Sequence, residues 1–371
     1  MKRSVPVNEP LLDGNEQRYI SECIETGWIS SEGPFVERFE QAMAARLTRR
    51  HGIAICNGSA ALEVAVRALQ LEPASEVIMP TFTIISCAGA IVRAGLVPVA
   101  VDCDPLTWNM DVSQLAAAIG PRTSAIMVVH IYGLPCDLDP ILRLAKDHGL
   151  RVIEDAAEMI GQTYRDRPCG SFGDVSVLSF YPNKLVTTGE GGMVLADDDM
   201  LAERCRSLRN LCFKPERRFV HDELSSNYRM GNLQAALGLA QVERLDTFIE
   251  RKRAIGRRYQ ELLSDLPSLQ LPVARTDFAE SIYWVFGVVL DDATPFNAVE
   301  AQKRLAERGI GTRPFFWPMH EQPVLLEMGF FAGTKCPHAE RIARRGFYVP
   351  SGLALTEEQQ ELVSAAMHGL F

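Results

Sequence analysis

The chain has 371 residues, 47% of them hydrophobic and 23% charged, with a net charge of −9. That length calls for more than one simple core, and the composition is that of a globular protein. The negative balance speaks against a nucleic-acid surface and against anionic membranes.

The N-terminus, "MKRSVPVNEPLLDGNE", has no apolar stretch of signal-peptide type. Arg93, Gly95 and Pro98 interrupt the longest apolar run, residues 84–101, so no transmembrane span is expected. The nine cysteines are scattered and form no C-x-x-C pair, which predicts no metal site and points to reduced thiols in a cytoplasm.

Residues 15–47 read as two helical pieces broken by "TGWISSEGP". From about residue 52, short apolar runs alternate with helical segments. "GIAIC" precedes "SAALEVAVRALQL", "EVIMP" precedes "TIISCAGAIVRAG", and "VPVAVD" precedes "VSQLAAAI". "SAIMVVH" precedes "LDPILRLAKDHG", and "RVIEDA", "DVSVLSF" and "GMVLA" complete the series. Strands apolar throughout and separated by helices predict an α/β fold, a mostly parallel sheet covered on both faces. Such sheets bind ligands at the carboxyl ends of their strands. Beyond residue 198 the pattern is helical apart from the loop 212–231, with the longest helical signal over 232–263. "SIYWVFGVVL" reads as a strand, "NAVEAQKRLAERG" as a helix, "TRPFF" and "FYVPSG" as short extended pieces, and "TEEQQELVSAAMHG" as the last helix. The expected division is a large domain over 1–244 and a smaller C-terminal α+β domain over 245–371.

Four strand ends carry the chemistry. "GIAIC" runs into Asn57-Gly58-Ser59 and straight into a helix, where free N–H groups and the helix dipole favour a phosphate. Ser59 reads either as a phosphate donor or as the helix N-cap. "PTFT" at 80–83 places Phe82 over the same crevice, as a ring to stack on a flat ligand or as core. "RVIEDA" ends in Glu154-Asp155, and a carboxylate at a sheet interior needs a cation or donor. Asp155 reads either as a cap or solvated carboxylate, or as the partner of a protonated heterocyclic nitrogen. "DVSVLSF" leads through Ser179 to Lys184, followed by "TTGEGG". Lys2, Lys146, Lys214, Lys252, Lys303 and Lys335 fall where exposure is expected, whereas Lys184 falls in the crevice. A desolvated lysine loses proton affinity and becomes an amine nucleophile. A phosphate cradle, a stacking face, an acid for a ring nitrogen and an amine for an aldehyde together suit pyridoxal 5'-phosphate.

These stretches resemble the DegT-type sugar-nucleotide aminotransferases, within the aspartate aminotransferase-like fold type I. The resemblance is carried by "DGNE" (13–16), "GWISSEGPFVERFE" (27–40), "NGSAAL" (57–62), "PTFT" (80–83), "VIEDAAE" (152–158), "GSFGDVSVLSF" (170–180) and "NKLVTTGEGGMV" (183–194). "NYRMGNLQAALGLAQ" (227–241), "RPFFWPMH" (313–320) and "PSGLALT" (350–356) extend it along the chain. Within the family the chain is most similar to members that aminate GDP-4-keto-6-deoxymannose to GDP-perosamine.

The resemblance implies that Lys184 holds the cofactor covalently and later shuttles a proton. It implies that Asp155 pairs with the pyridine nitrogen, Glu158 lies near the phenolic oxygen, Phe82 stacks on the ring, and Gly58, Ser59 and Ser179 hold the phosphate. Asn227 would reach that phosphate from the other subunit of a homodimer with shared sites. Trp28, Ser30, Arg229, Arg313 and His320 would line the sugar-nucleotide side. The implied reaction takes nitrogen from L-glutamate, cycles the cofactor through pyridoxamine 5'-phosphate, and delivers it to a nucleotide-linked keto-sugar for surface polysaccharide or glycosylated natural products. The alternatives are a 3-keto or 4-keto sugar linked to dTDP or UDP, and a different reaction of the same cofactor such as a lyase or desulfurase. The chain departs from the family pattern at Tyr181-Pro182, at Gly231 and in the loop 209–223, all near the substrate mouth.

Overall fold

The structure is a computed structural model that describes residues 4–214 and 216–371; Lys2 lies outside them. Strands β1 (His51–Ile55), β2 (Glu76–Pro80), β3 (Val97–Val101), β4 (Thr123–Val129) and β5 (Arg151–Asp155) come first. A small hairpin, β6 (Thr163–Tyr164) with β7 (Arg167–Pro168), separates them from β8 (Val175–Ser179) and β9 (Gly192–Ala196). The main sheet has the order β1-β9-β8-β5-β4-β2-β3. Its neighbours pair in parallel from β8 to β3, and β9 runs antiparallel between β1 and β8.

The strands are buried on both faces because their successive side chains enter two different cores. Ile53, Ile55, Val77, Met79, Met127 and Val129 join one core, while Ala54, Ile78, Ile126 and Val128 join the other. Helices Gly58–Ala68, Ile85–Arg93 and Asp199–Arg209 supply the first core. Leu138–His148, Asn232–Val242 and the N-terminal helices Glu16–Thr26 and Pro34–Arg46 supply the second. Register brings the ends of β4 and β5 level, Val129 with Asp155, and sets Asp155 beside Val177, two residues before the end of β8.

A second, antiparallel sheet has the order β10 (Leu269–Gln270), β11 (Phe286–Leu290), β13 (Gly346–Val349), β12 (Arg313–Pro314). It shares a third core with helices Leu245–Leu262, Ala298–Glu307 and Glu357–His368. Val5 bridges to Ile310, and both join this third core.

Several sequence expectations are corrected. The helical signal over 232–263 is two helices, broken at Glu243-Arg244. "SIYWVFGVVL" becomes strand only from Phe286. "VSQLAAAI" is a 3-10 turn followed by the four-residue helix Leu115–Ala118. The β6–β7 hairpin was not expected, nor was helix Pro337–Arg345, although it opens on a proline and buries Ala339, Ile342 and Ala343 on one face. Lys252, expected on the surface, is only 3% exposed. Its place in the charge run "ERKR" looks solvated locally, but its ammonium end donates to the Ser351 carbonyl and lies among Leu185, Gln241, Ile282 and Leu353. All nine cysteines are unpaired, and eight are buried. Among the described residues no helix is long and apolar enough to cross a membrane.

Candidate active site

The carboxyl ends of β1, β4, β5 and β8 open onto a cavity of about 870 Å³. Gly58, Ser59, Asp155, Glu158, Ser179, Lys184 and Arg313 all stand on its wall. At the first strand end the helix cap is Asn57, whose Oδ1 accepts from Ala60 N at 2.9 Å. Ser59 is therefore not the cap; its hydroxyl meets that of Ser86 at 2.6 Å. A Cβ at Gly58 would lie 2.9 Å from Ser179 Cβ, so glycine is needed for the turn to close on β8. The leading N–H groups of Gly58–Ala68 lack helical partners and present partial positive charge to the cavity. This end could hold a phosphate.

Asp155 is 3% exposed. Its Oδ1 accepts from Ala157 N at 3.0 Å and its Oδ2 from the Cys87 thiol at 3.3 Å. Burial raises the affinity of this carboxyl for a proton, against the pull of the Ala157 amide, Cys87 and Lys184. Glu158, three residues on, accepts from Tyr132 N at 2.7 Å. Burial pushes it up to about 7, with Lys184 opposing.

Lys184 lies on the loop between β8 and β9, and its N–H bonds the Tyr181 carbonyl at 2.8 Å. Its Nζ is 3.8 Å from Glu158 Oε1. Burial lowers its proton affinity, and the Glu158 and Asp155 carboxylates oppose that loss. An amine of this kind, next to a carboxylate that titrates near neutrality, can act as nucleophile and as proton carrier.

Phe82 is not on the cavity wall. It is fully buried against Tyr132, Phe315 and Phe316, with ring centroids 5.8–5.9 Å away. Thr83 and Ile84 line the cavity instead, because the chain turns at the end of β2 and sends Phe82 into the core. His320 is also withdrawn. It is 5% exposed, with Nδ1 on Thr81 Oγ1 at 2.7 Å and Nε2 on Glu340 at 3.1 Å. Arg313 is exposed on the wall, and no carboxylate among the described residues pairs with it. Asn227, Arg229, Trp28 and Ser30 do not line the cavity of their own chain. Asn227 bridges to Asn210, the Arg229 guanidinium binds Asn210 Oδ1, and the carbonyls of Trp28 and Ser30 accept from Asn232.

The sequence reading named Asn57 without its capping role and missed Ser86, Cys87 and Trp284 as parts of the site. Asn57 preceding a glycine and a helical run is a legible cap. The other three become neighbours of the site only through the fold.

His130, Glu154 and Cys169 gather within 4.8 Å behind Asp155. His130 Nδ1 accepts the Cys136 N–H, which leaves Nε2–H to donate to Glu154 at 3.1 Å. Glu154 also accepts from Gly170 N and Phe172 N. The group is a hydrogen-bonded brace beneath the sheet.

The sequence profile of the DegT/DnrJ/EryC1/StrS aminotransferase family matches residues 10–368. The chain is similar to the GDP-perosamine synthase of Caulobacter vibrioides, at 41% identity over 98% of this chain and 97% of that one. The GDP-perosamine synthase of Escherichia coli O157:H7 is 40% identical over 96% and 95% of the two chains. The crystal structure of DesI in the presence of its TDP-sugar product superposes with a TM-score of 0.89 at 32% identity, covering 100% of this chain and 95% of that one.

Proposed function

The chain belongs to the DegT/DnrJ/EryC1/StrS aminotransferase family and has its fold type I architecture, and from that premise we propose that it transfers nitrogen from L-glutamate to a nucleotide-linked keto-sugar. Pyridoxal 5'-phosphate, alternating with pyridoxamine 5'-phosphate, is the cofactor of this reading. The observation that carries it is the Lys184 amine on the wall of a strand-end cavity, 3.8 Å from Glu158, with Asp155 buried beside it. GDP-4-keto-6-deoxymannose is the proposed acceptor and GDP-perosamine the product, on the strength of two relatives of that name at 41% and 40% identity. The likeness to DesI keeps a TDP-linked sugar as the second reading.

When bound, the cofactor supplies an aldehyde that captures amines and a ring that takes up an electron pair. The residues of the chain would do the rest. Gly58, Ser59 and Ser179 would hold the phosphate against the helix N-terminus. Asp155 would keep a proton on the ring nitrogen, and that charged N–H would in turn satisfy a buried carboxylate. Lys184 would carry the proton to and from the reacting carbon. Glu158 would hold the phenolic edge and set the charge on Lys184. The ring-facing place expected of Phe82 passes to Ile84, with Phe82 packed behind it. Arg313, unpaired at the wall, suits the diphosphate of a sugar nucleotide.

Asn227, Trp28, Ser30 and Arg229 would serve the cavity of the neighbouring subunit in a homodimer. The division into a large domain (1–244) and a smaller one (245–371) is proposed on the same family grounds, as is a cytoplasmic setting, which the nine unpaired cysteines suit.

The test is direct. Purified protein loaded with cofactor should change its absorbance on addition of glutamate and should then aminate GDP-4-keto-6-deoxymannose, with the amino sugar identified by mass and NMR. A panel of dTDP- and UDP-linked 3-keto and 4-keto sugars decides between the two readings. No spectral change with glutamate would sink both. Asn227→Ala and Lys184→Ala chains, mixed, should regain activity through hybrid dimers.

A further inference from the structure

The lysine loop has a neighbour from outside the main sheet. Trp284 lies in the residues that lead into β11 and is 5% exposed. Its Nε1–H donates to the Asn183 carbonyl at 2.7 Å. The face of the same ring stands 3.7 Å from Lys184 Nζ. One side chain thus grips the residue before the lysine and covers the lysine's amine.

The fold leaves Trp284 little freedom. Ile282 N donates to the Gly133 carbonyl at 2.9 Å. A Cβ at Gly133, where φ is +103°, would lie 2.5 Å from Trp284 N, so only glycine permits this approach. The preceding residue, Tyr132, gives its N–H to Glu158 at 2.7 Å and sets its ring 6.1 Å from that of Trp284. The turn that positions the indole is the turn that positions Glu158.

We propose that Trp284 is a positioning residue for Lys184: its indole holds the amine between the ring face and Glu158 and stabilises the protonated form. This inference rests on the reading of Lys184 as the proton-carrying amine. An amine that receives a proton inside a cavity must exist there as an ammonium, which burial disfavours. A carboxylate can offset that cost but can also take the proton away. A ring face offsets it through its quadrupole and cannot accept the proton. It also restrains a flexible four-carbon stem that would otherwise sample several rotamers. The other groups that act on this charge are Glu158 and Asp155, after and at the end of β5, and Cys87, on helix Ile85–Arg93; Tyr348 and Arg313 share the cavity wall, and Lys252 shares a small recess beside it.

Fluorinated tryptophans placed at position 284 keep the shape and the N–H but drain the ring face. In protein freed of cofactor, the proton affinity of Lys184 can be read by competitive acetylation against pH, with peptide mass detection. The Lys184 midpoint should fall stepwise with the number of fluorines, by about 0.5 to 1.5 pH units in total. Trp284→Phe, which also loses the N–H, should lower the midpoint and speed amide exchange over 181–186. A midpoint unmoved across the fluorine series and in Trp284→Phe overturns the proposal. Borohydride trapping of the loaded wild-type protein on a lysine other than Lys184 would instead overturn the reading beneath it, and the two failures are separate measurements.

Discussion

Two buried lysines, one on the loop between β8 and β9 and one on helix Leu245–Leu262, make an instructive pair. Lys184 and Lys252 are both withdrawn from water, with 11% of the Lys184 side chain and 3% of Lys252 exposed. Burial depresses the proton affinity of each, to about 7 for Lys252. Their surroundings differ. Lys184 faces a cavity, two carboxylates and an indole ring. Lys252 meets the Ser351 carbonyl, and among the described residues no carboxylate pairs with it. Desolvation alone makes a neutral amine, and only partners of opposite character beside open space make one that gains and loses a proton in use.

The sharpest way to break the comparison is Lys184→Ala, which should lower turnover at least about 10⁴-fold, measured with glutamate and the keto-sugar. Retained turnover would put Lys184 in the same class as Lys252. Asp155→Asn should cost roughly 10³-fold, because a neutral partner no longer holds a charge on the ring nitrogen, and near wild-type kinetics would remove Asp155 from the pair. Glu158→Gln should cost about tenfold. It should also remove the inflection near pH 7 that the Glu158 carboxyl imposes on the pH profile of kcat/KM, and an unchanged profile would count against it.

The smallest effect concerns stability. Lys252 has its folded proton affinity lowered to about 7, below the ordinary lysine value. The unfolded chain therefore binds more protons between about pH 7 and 10, and stability rises with pH across that window, by at most about 1.4 kcal/mol per unit. That contribution is lost as pH falls through 7. Lys252→Met should flatten the slope in denaturant unfolding, leaving the share that Lys184 contributes. An unchanged slope would show that Lys252 is hydrated in the folded state.

Much of the fold was legible because the strands of the main sheet are apolar on both faces, a signal that survives in "EVIMP" and "SAIMVV" without any partner in view. The polar strand ends were legible for the converse reason: Asp155 and Lys184 break apolar runs where nothing local requires them. Failures came where local pattern and burial diverge. "ERKR" reads as a solvated helix face, yet segments distant in the chain bury Lys252. "PTFT" offers Phe82 and conceals Ile84, since strand alternation does not continue past Pro80. Trp284 is one hundred residues from the lysine it covers, beyond the reach of any spacing rule.

The amino-acid sequence by itself determined most of the elements and their order, the family likeness and the residues able to carry chemistry, because these depend on propensity and polarity over a few neighbours. Tertiary structure decided the rest: which of two hidden amines opens on a cavity, which aromatic residue meets it, and which expected contacts turn inward. Those outcomes depend on water excluded by segments far apart in the chain, and that exclusion exists only once the two sheets have closed on each other.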